Sequence, residues 1–370
     1  MNLLPDEDHE AVAELARSIA TDILSPAARE AEREQSVPKD VWSKLFDSGL
    51  TVPIPEEFGG GGVPDTITQL LAVENLAFGD AGIAMAAVWS GAAGGLIARH
   101  GTASQTDGLR IFASSPDARG AVALYEGHGR GPAELETTIA IDGDTVRVTG
   151  RKVGVAFAAS ADPLVVVGRD AQDGRLRAVV LASGDAGVTV DDVTRGIALD
   201  AAASGSITFD VTTTTDALLG GTDADAVALT TSVQRLRLLN AAAQVGTAQR
   251  AIEYAAAYAT TRIAFGTPIA TFQGISFPLA EAVMQLDAAR LEISDVAERL
   301  DLAVGVGEVD VARAVSYASE IALEATRDSV QTLGGHGFIT DHPVEIWYRS
   351  AAALSALDFD PTRSSFEPAL

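Results

Sequence analysis

The chain changes texture twice, and that order limits its fold more than any single motif. From Asp6 to about Ser115 apolar residues recur at helical spacing, as in "DHEAVAELARSIATDIL". A Pro- and Gly-rich loop, "PIPEEFGGGGVP" (53–64), interrupts this block, and "PDARG" (116–120) closes it. From about Ala121 to Leu219 the pattern is strand-like. "TTIAIDGDTVRVTGRKVGVAF" alternates around Asp142-Gly143, a hairpin signal, and "PLVVVGRD", "RAVVLAS" and "SGSITFDVT" read as further strands. From about Asp223 three helical stretches follow, beginning with the Ala-rich "SVQRLRLLNAAAQVGTAQRAIEYAAAYATTR". The expectation is a helical unit over 1–119, a small antiparallel barrel or sandwich over 120–221, and a helical unit over 222–370.

Charge and composition narrow the partners. With 370 residues and a formal charge of −25, the surface repels phosphate backbones and anionic lipid, so nucleic acid and membrane are not expected. No cysteine is present, which removes disulfides, thiol nucleophiles and thiolate metal sites together. The uncharged run "AGIAMAAVWSGAAGGLIA" (81–98) is nearly long enough to span a bilayer, but its Ala and Gly content predicts a buried core helix. The acidic N-terminus lacks the basic start of a signal peptide, so a cytoplasmic location is expected.

The stretch "RDSVQTLGGHGFIT" (327–340) places three glycines directly after helical sequence. Two readings compete for Gly334 and Gly335: a plain helix C-cap, or bare backbone that lets a bulky anion approach. His336 reads as a spacer, and His9, His100, His128 and His342 have no metal-like spacing. Gly59 to Gly62 lack the context of a phosphate-binding loop.

Several strings, in order and over nearly the whole chain, resemble the acyl-CoA dehydrogenase family. "GLTVPIPEEFGGGG" is similar to its "Gl.gl.iPeeyGG.G" loop, and "TTRIAFGTPIATFQ" to its R-x-x-F-G-x-x-I-x-x-x-Q signature. "QTLGGHGF" is similar to Q-x-x-G-G-x-G-[FY], and "HPVEIWYRSA" to "P.e..yRd". The resemblance implies an N-terminal α-helical domain, a middle antiparallel β-barrel domain and a C-terminal four-helix-bundle domain. It also implies FAD chemistry: a carboxylate takes the α-proton of an acyl-CoA thioester while the β-hydride passes to flavin, with electrons leaving through an electron-transfer acceptor.

The family's motifs are unevenly kept. Arg262, Phe265, Gln273, Gln331, Gly334 and Gly335 stand where the family contacts the FAD of a neighbouring subunit, and a guanidinium fork suits a diphosphate. The family's own-flavin loop aligns with "YEGHGRGP" (125–132), where only Glu126 matches, either as a relic or as a surface acid. In "KVGVA" (152–156) Gly154 replaces a tryptophan and Ala156 a hydroxyl residue, so the bond to flavin N5 is lost. The family base aligns with Asp358, one methylene shorter than glutamate, and the other known base position holds Leu236. The resemblance therefore implies the non-catalytic subunit of a heterotetrameric (α2β2) dehydrogenase, similar to the actinobacterial enzymes for steroid side-chain CoA thioesters. Two alternatives stay open: a self-sufficient flavoenzyme with Asp358 as base, and a cofactor-free structural protein.

Overall fold

Two largely apolar helices, one carrying the buried Glu74, organise the N-terminal part. The computed structural model describes residues 6–62, 64–192 and 195–363. Helices α1 (Glu7–Ile19), α2 (Ser25–Glu34) and α3 (Lys39–Asp47) pack around α4 (Thr66–Gly79) and α5 (Ala81–His100), with α6 (Ala103–Ser114) completing the layer. The uncharged run 81–98 is the core of α5, and it is enclosed by neighbouring elements. Asp80 joins α4 to α5 and caps α5, accepting the Ile83 N–H at 2.8 Å.

The strands are β1 (Ala121–Ala123), β2 (Thr138–Asp142), β3 (Thr145–Val155), β4 (Leu164–Asp170), β5 (Leu176–Leu181), β6 (Val188–Asp192) and β7 (Gly205–Thr214). They form one sheet in the order β1-β4-β2-β3-β7-β6, with β5 on the other edge of β4. This corrects the expected antiparallel barrel: the sheet is open and mixed. β1 and β2 share one edge of β4, and both pair with it in parallel. Alternation in sequence sets which side chains face inward but not which strand lies alongside, so it cannot distinguish parallel from antiparallel partners. The hairpin at Asp142-Gly143 does form, with Asp142 opposite Thr145.

Helix α7 (Ala226–Thr261) is the axis of the C-terminal part, and α8 (Gln273–Asp301), α9 (Glu308–Leu333) and α10 (Val344–Leu357) pack along it as a bundle. Where α7 crosses α4, a Cβ on Gly246 would lie 1.9 Å from the Glu74 carbonyl oxygen. Only a bare Cα permits that crossing. Polar clamps then fix the two helical layers. Asp301 accepts the Thr66 N–H and hydroxyl, both at 2.8 Å, and the Arg235 Nε at 2.9 Å. Arg290 bonds Glu74 from α8.

Burial pushes the Asp80 carboxyl from 3.8 up to about 6. Between those values the folded chain binds more protons than the unfolded one, so this group's contribution to stability falls as pH rises through about 6. Asn caps as well as Asp and carries no charge. Asp80→Asn is therefore expected to flatten the pH dependence of the urea midpoint across that window. At alkaline pH it should stabilise by on the order of 1–3 kcal/mol. A variant less stable than the parent there would contradict the assignment.

Candidate cofactor surface and interior site

The first of two sites lies where α7 ends. Arg262 terminates the helix, and the chain turns through a two-stranded hairpin, β8 (Ile263–Ala264) and β9 (Thr267–Pro268), before α8 begins at Gln273. Phe265 and Gly266 form its turn with φ of 52° and 85°, the left-handed pair such turns require. Phe265 is 97 % exposed, an unusual state for a phenylalanine that also carries backbone strain.

Beside this hairpin is an open cleft of about 540 Å³, lined by Tyr258, Arg262, Gln331, Gly334, Gly335 and His336 among others. Gly334 ends α9 with φ 58° and ψ −133°. A Cβ on Gly334 or Gly335 would meet nothing in the chain, whereas one on Gly337 would lie 2.4 Å from the Val330 carbonyl oxygen. Internal packing thus explains Gly337 but not Gly335. Among the described residues the Arg262 guanidinium makes no ion pair or hydrogen bond. The structure brings Arg262, Gln331, Gly334 and Gly335 to one cleft, while Phe265 and Gln273 stand on the hairpin and α8 alongside it. His336, which the sequence reads as a spacer, lines the cleft, as does Tyr258, which the sequence reading does not name. Their signal was present, since Tyr254, Tyr258 and Arg262 recur every fourth residue on one helix face.

The interior site lies near the middle of α7. Arg237 is fully buried, and its Nε is 3.1 Å from both carboxylate oxygens of Asp358, itself 3 % exposed. Asn240 donates to the Tyr125 hydroxyl at 3.0 Å. Burial, and next the charge of Asp358, push the Tyr125 phenol well above its ordinary range, so it stays protonated. Phe359 packs edge-on against Tyr125, with ring centroids 5.2 Å apart. Leu357 Cδ1 lies 2.6 Å from where a Cβ on Gly154 would stand, so a leucine fills the space that the missing indole leaves. Asp360 N–H then bonds the Arg130 carbonyl oxygen at 2.8 Å, fastening the C-terminal segment to the loop after β1.

Glu126 has a structural task. It accepts the N–H groups of Glu136 and Thr137 at 2.6 and 2.9 Å and the Lys152 ammonium at 2.9 Å. Lys152 is fully buried, and burial pushes it down to about 8. Leu236 lines a separate apolar pocket with Val73, Val88, Leu96 and Leu239, of about 70 Å³.

A flavin can be tested against both places. The interior does not fit a ring: Tyr125, Leu357 and Phe359 fill it, and Ala156 offers no hydroxyl. The cleft fits the diphosphate end of the cofactor, because it offers an uncommitted guanidinium and bare backbone.

The comparisons agree with the fold. A family profile described as "Acyl-CoA dehydrogenase, N-terminal domain" matches residues 6–109, and "Acyl-CoA dehydrogenase, C-terminal domain" matches 226–358. The "Probable acyl-CoA dehydrogenase YngJ" of Bacillus subtilis is 30 % identical, covering 96 % of this chain and 95 % of its own. A second Bacillus subtilis "Acyl-CoA dehydrogenase" is 29 % identical over 91 % of this chain and 90 % of its own. Among solved structures, the butyryl-CoA dehydrogenase of Megasphaera elsdenii superposes with a TM-score of 0.85 at 26 % identity, covering 98 % and 97 %.

The Arg237–Asp358 pair yields a measurable consequence. Removing one member of a buried pair strands the other charge, which typically costs about 3–5 kcal/mol. Asp358→Ala is expected to lower stability by that order in urea unfolding. A loss below about 1 kcal/mol, with the fold intact, would mark Asp358 as dispensable to packing.

Proposed function

The chain belongs to the acyl-CoA dehydrogenase family, and from that premise we propose that it is a partner subunit that lends its cleft to FAD held by a homologous catalytic subunit. One contrast carries the reading. Two arginines of the same helical segment have opposite fates: Arg237 is sealed onto Asp358, while Arg262 stands open. Asp358, held by Arg237 and shut in beneath Phe359, is poorly placed to take a proton from a substrate. Arg262 and the bare backbone at Gly334 and Gly335 are placed to take up two negative charges from outside.

The surface around the cleft supports a protein neighbour. Phe277, Met284 and Leu291 recur every seven residues on the outer face of α8, and all are exposed. They continue from Phe265 and Phe272 at the hairpin. An apolar seam with that repeat suits the packing of another helix. Glu281 flanks the seam, and Asp287 beside it is paired with Arg290.

On this reading the assembly is an α2β2 heterotetramer in the cytoplasm, carrying FAD at the catalytic subunits only. The partner's carboxylate performs α,β-desaturation of an acyl-CoA, and electrons pass to an electron-transfer acceptor. The pocket beside Leu236 is too small for a steroid side chain. A bulky substrate of that kind would be accommodated in the partner, consistent with the steroid side-chain type.

Co-expression with a homologous dehydrogenase subunit tests this. The lone chain is expected to purify almost free of flavin and the complex with about one FAD per two chains. Stoichiometric FAD on the lone chain would overturn the proposal, and a flavin-free complex would favour a purely structural role. Arg262→Ala should strip most flavin from the complex while leaving the lone chain's melting temperature unchanged. Met284→Glu, on an exposed position, should abolish assembly in size-exclusion chromatography without unfolding the chain; assembly that survives it would remove α8 from the interface.

A further inference from the structure

The cleft holds a histidine pair that the family motif does not require. His336 lines the cleft beside Arg262, and its Nδ1 lies 3.4 Å from the Tyr258 hydroxyl. Behind it stands His342, with ring centroids 5.5 Å apart and its own Nδ1 2.7 Å from the Tyr254 hydroxyl. Tyr254 rests edge-on against Trp347 of α10. Both imidazoles are thus oriented through Nδ1 by a tyrosine of α7. Nε2 of His336 has no partner among the described residues and remains able to donate to a ligand.

Charge balance gives that nitrogen a task. A diphosphate diester carries two negative charges, Arg262 supplies one positive charge, and the chain as a whole is at −25. Behind the pair, Arg250 of α7 lies over the Trp347 ring at 5.5 Å. Against His336 stand Tyr258 and Arg262 of α7 and His342 of its own loop, with Tyr254 of α7 behind His342; on α9 nearby in sequence, Asp328 is engaged by Arg327. Glu345 of α10 is engaged by Arg349 and by Arg29 of α2, which also bonds the Thr340 carbonyl oxygen.

We infer that His336 is a second ligand to the diphosphate, so that the cleft's hold on it strengthens as this imidazole protonates. The inference rests on the reading of the cleft as a diphosphate site. Histidine ordinarily titrates near pH 6.5, so the effect falls in the physiological range. His342 acts as a positioning residue.

ADP-ribose is a suitable probe, because its diphosphate is a diester that does not titrate in this range. The full-length chain is titrated with it at about pH 6 and about pH 8, with histidine ring protons followed by NMR. Affinity is expected to fall about fivefold or more between those pH values, and bound probe should raise the titration midpoint of His336. His336→Gln should bind weakly at both pH values. Arg262→Ala should weaken binding throughout yet keep the pH dependence, and His342→Gln should keep it as well. Equal affinity at both pH values in the parent, or loss of the dependence in His342→Gln rather than His336→Gln, overturns the role of His336 and leaves the diphosphate site standing. No binding at either pH up to millimolar probe overturns the role of His336 as a ligand, while flavin content of the co-expressed complex decides the partner-subunit reading separately.

Discussion

The buried pair between Arg237 and Asp358 is the constraint from which the rest of the interior follows. A guanidinium with no exposure must meet a carboxylate, because an uncompensated buried charge would cost several kcal/mol. Meeting it draws the segment after α10 inward. Phe359 then lands on Tyr125, Leu357 reaches the space above Gly154, and Asp360 bonds the loop after β1 through Arg130. Each contact removes room that a cofactor ring or a substrate would use. Within this closure, Nη1 and Nη2 of Arg237 are buried without a hydrogen-bond partner among the described residues.

The same helix treats its two ends differently. Near its middle, α7 is enclosed by α4, α8, α9 and α10, and Gly246 permits the closest of these approaches. At its C-terminus the bundle opens, and Tyr258 and Arg262 emerge beside the glycines of α9. The glycines sort by cause. Gly337 is required by the Val330 carbonyl oxygen beneath it, and Gly334 by its left-handed backbone. Gly335 has neither reason within this chain. Under the proposed function, its bare Cα leaves room for the cofactor's diphosphate.

Much of this was legible beforehand. The helix, strand and helix order, the core character of residues 81–98 and the hairpin at Asp142-Gly143 follow from periodicity and turn chemistry, which are local properties. That Gly154 has no side chain and Ala156 no hydroxyl could also be read directly, and their departure from the family motif is what the resemblance implies. Parallel pairing of β1 and β2 with β4 could not, because alternation carries no information about neighbouring strands. Glu126 could not be ranked either, since its partner Lys152 is 26 residues away and only the sheet brings them together.

By itself, then, the sequence determined the class of fold and which chemical groups are present or missing. Side-chain type and spacing are written into the chain, and a lost hydroxyl or indole cannot be supplied by folding. Only the tertiary structure decided which of the retained groups face inward and which face out. Arg237 and Arg262 are the same residue type, 25 positions apart on one helix and its cap. Burial and a carboxylate 121 residues away silence the first, while the open end of the bundle leaves the second uncommitted. That difference arises from long-range packing, which no local pattern encodes.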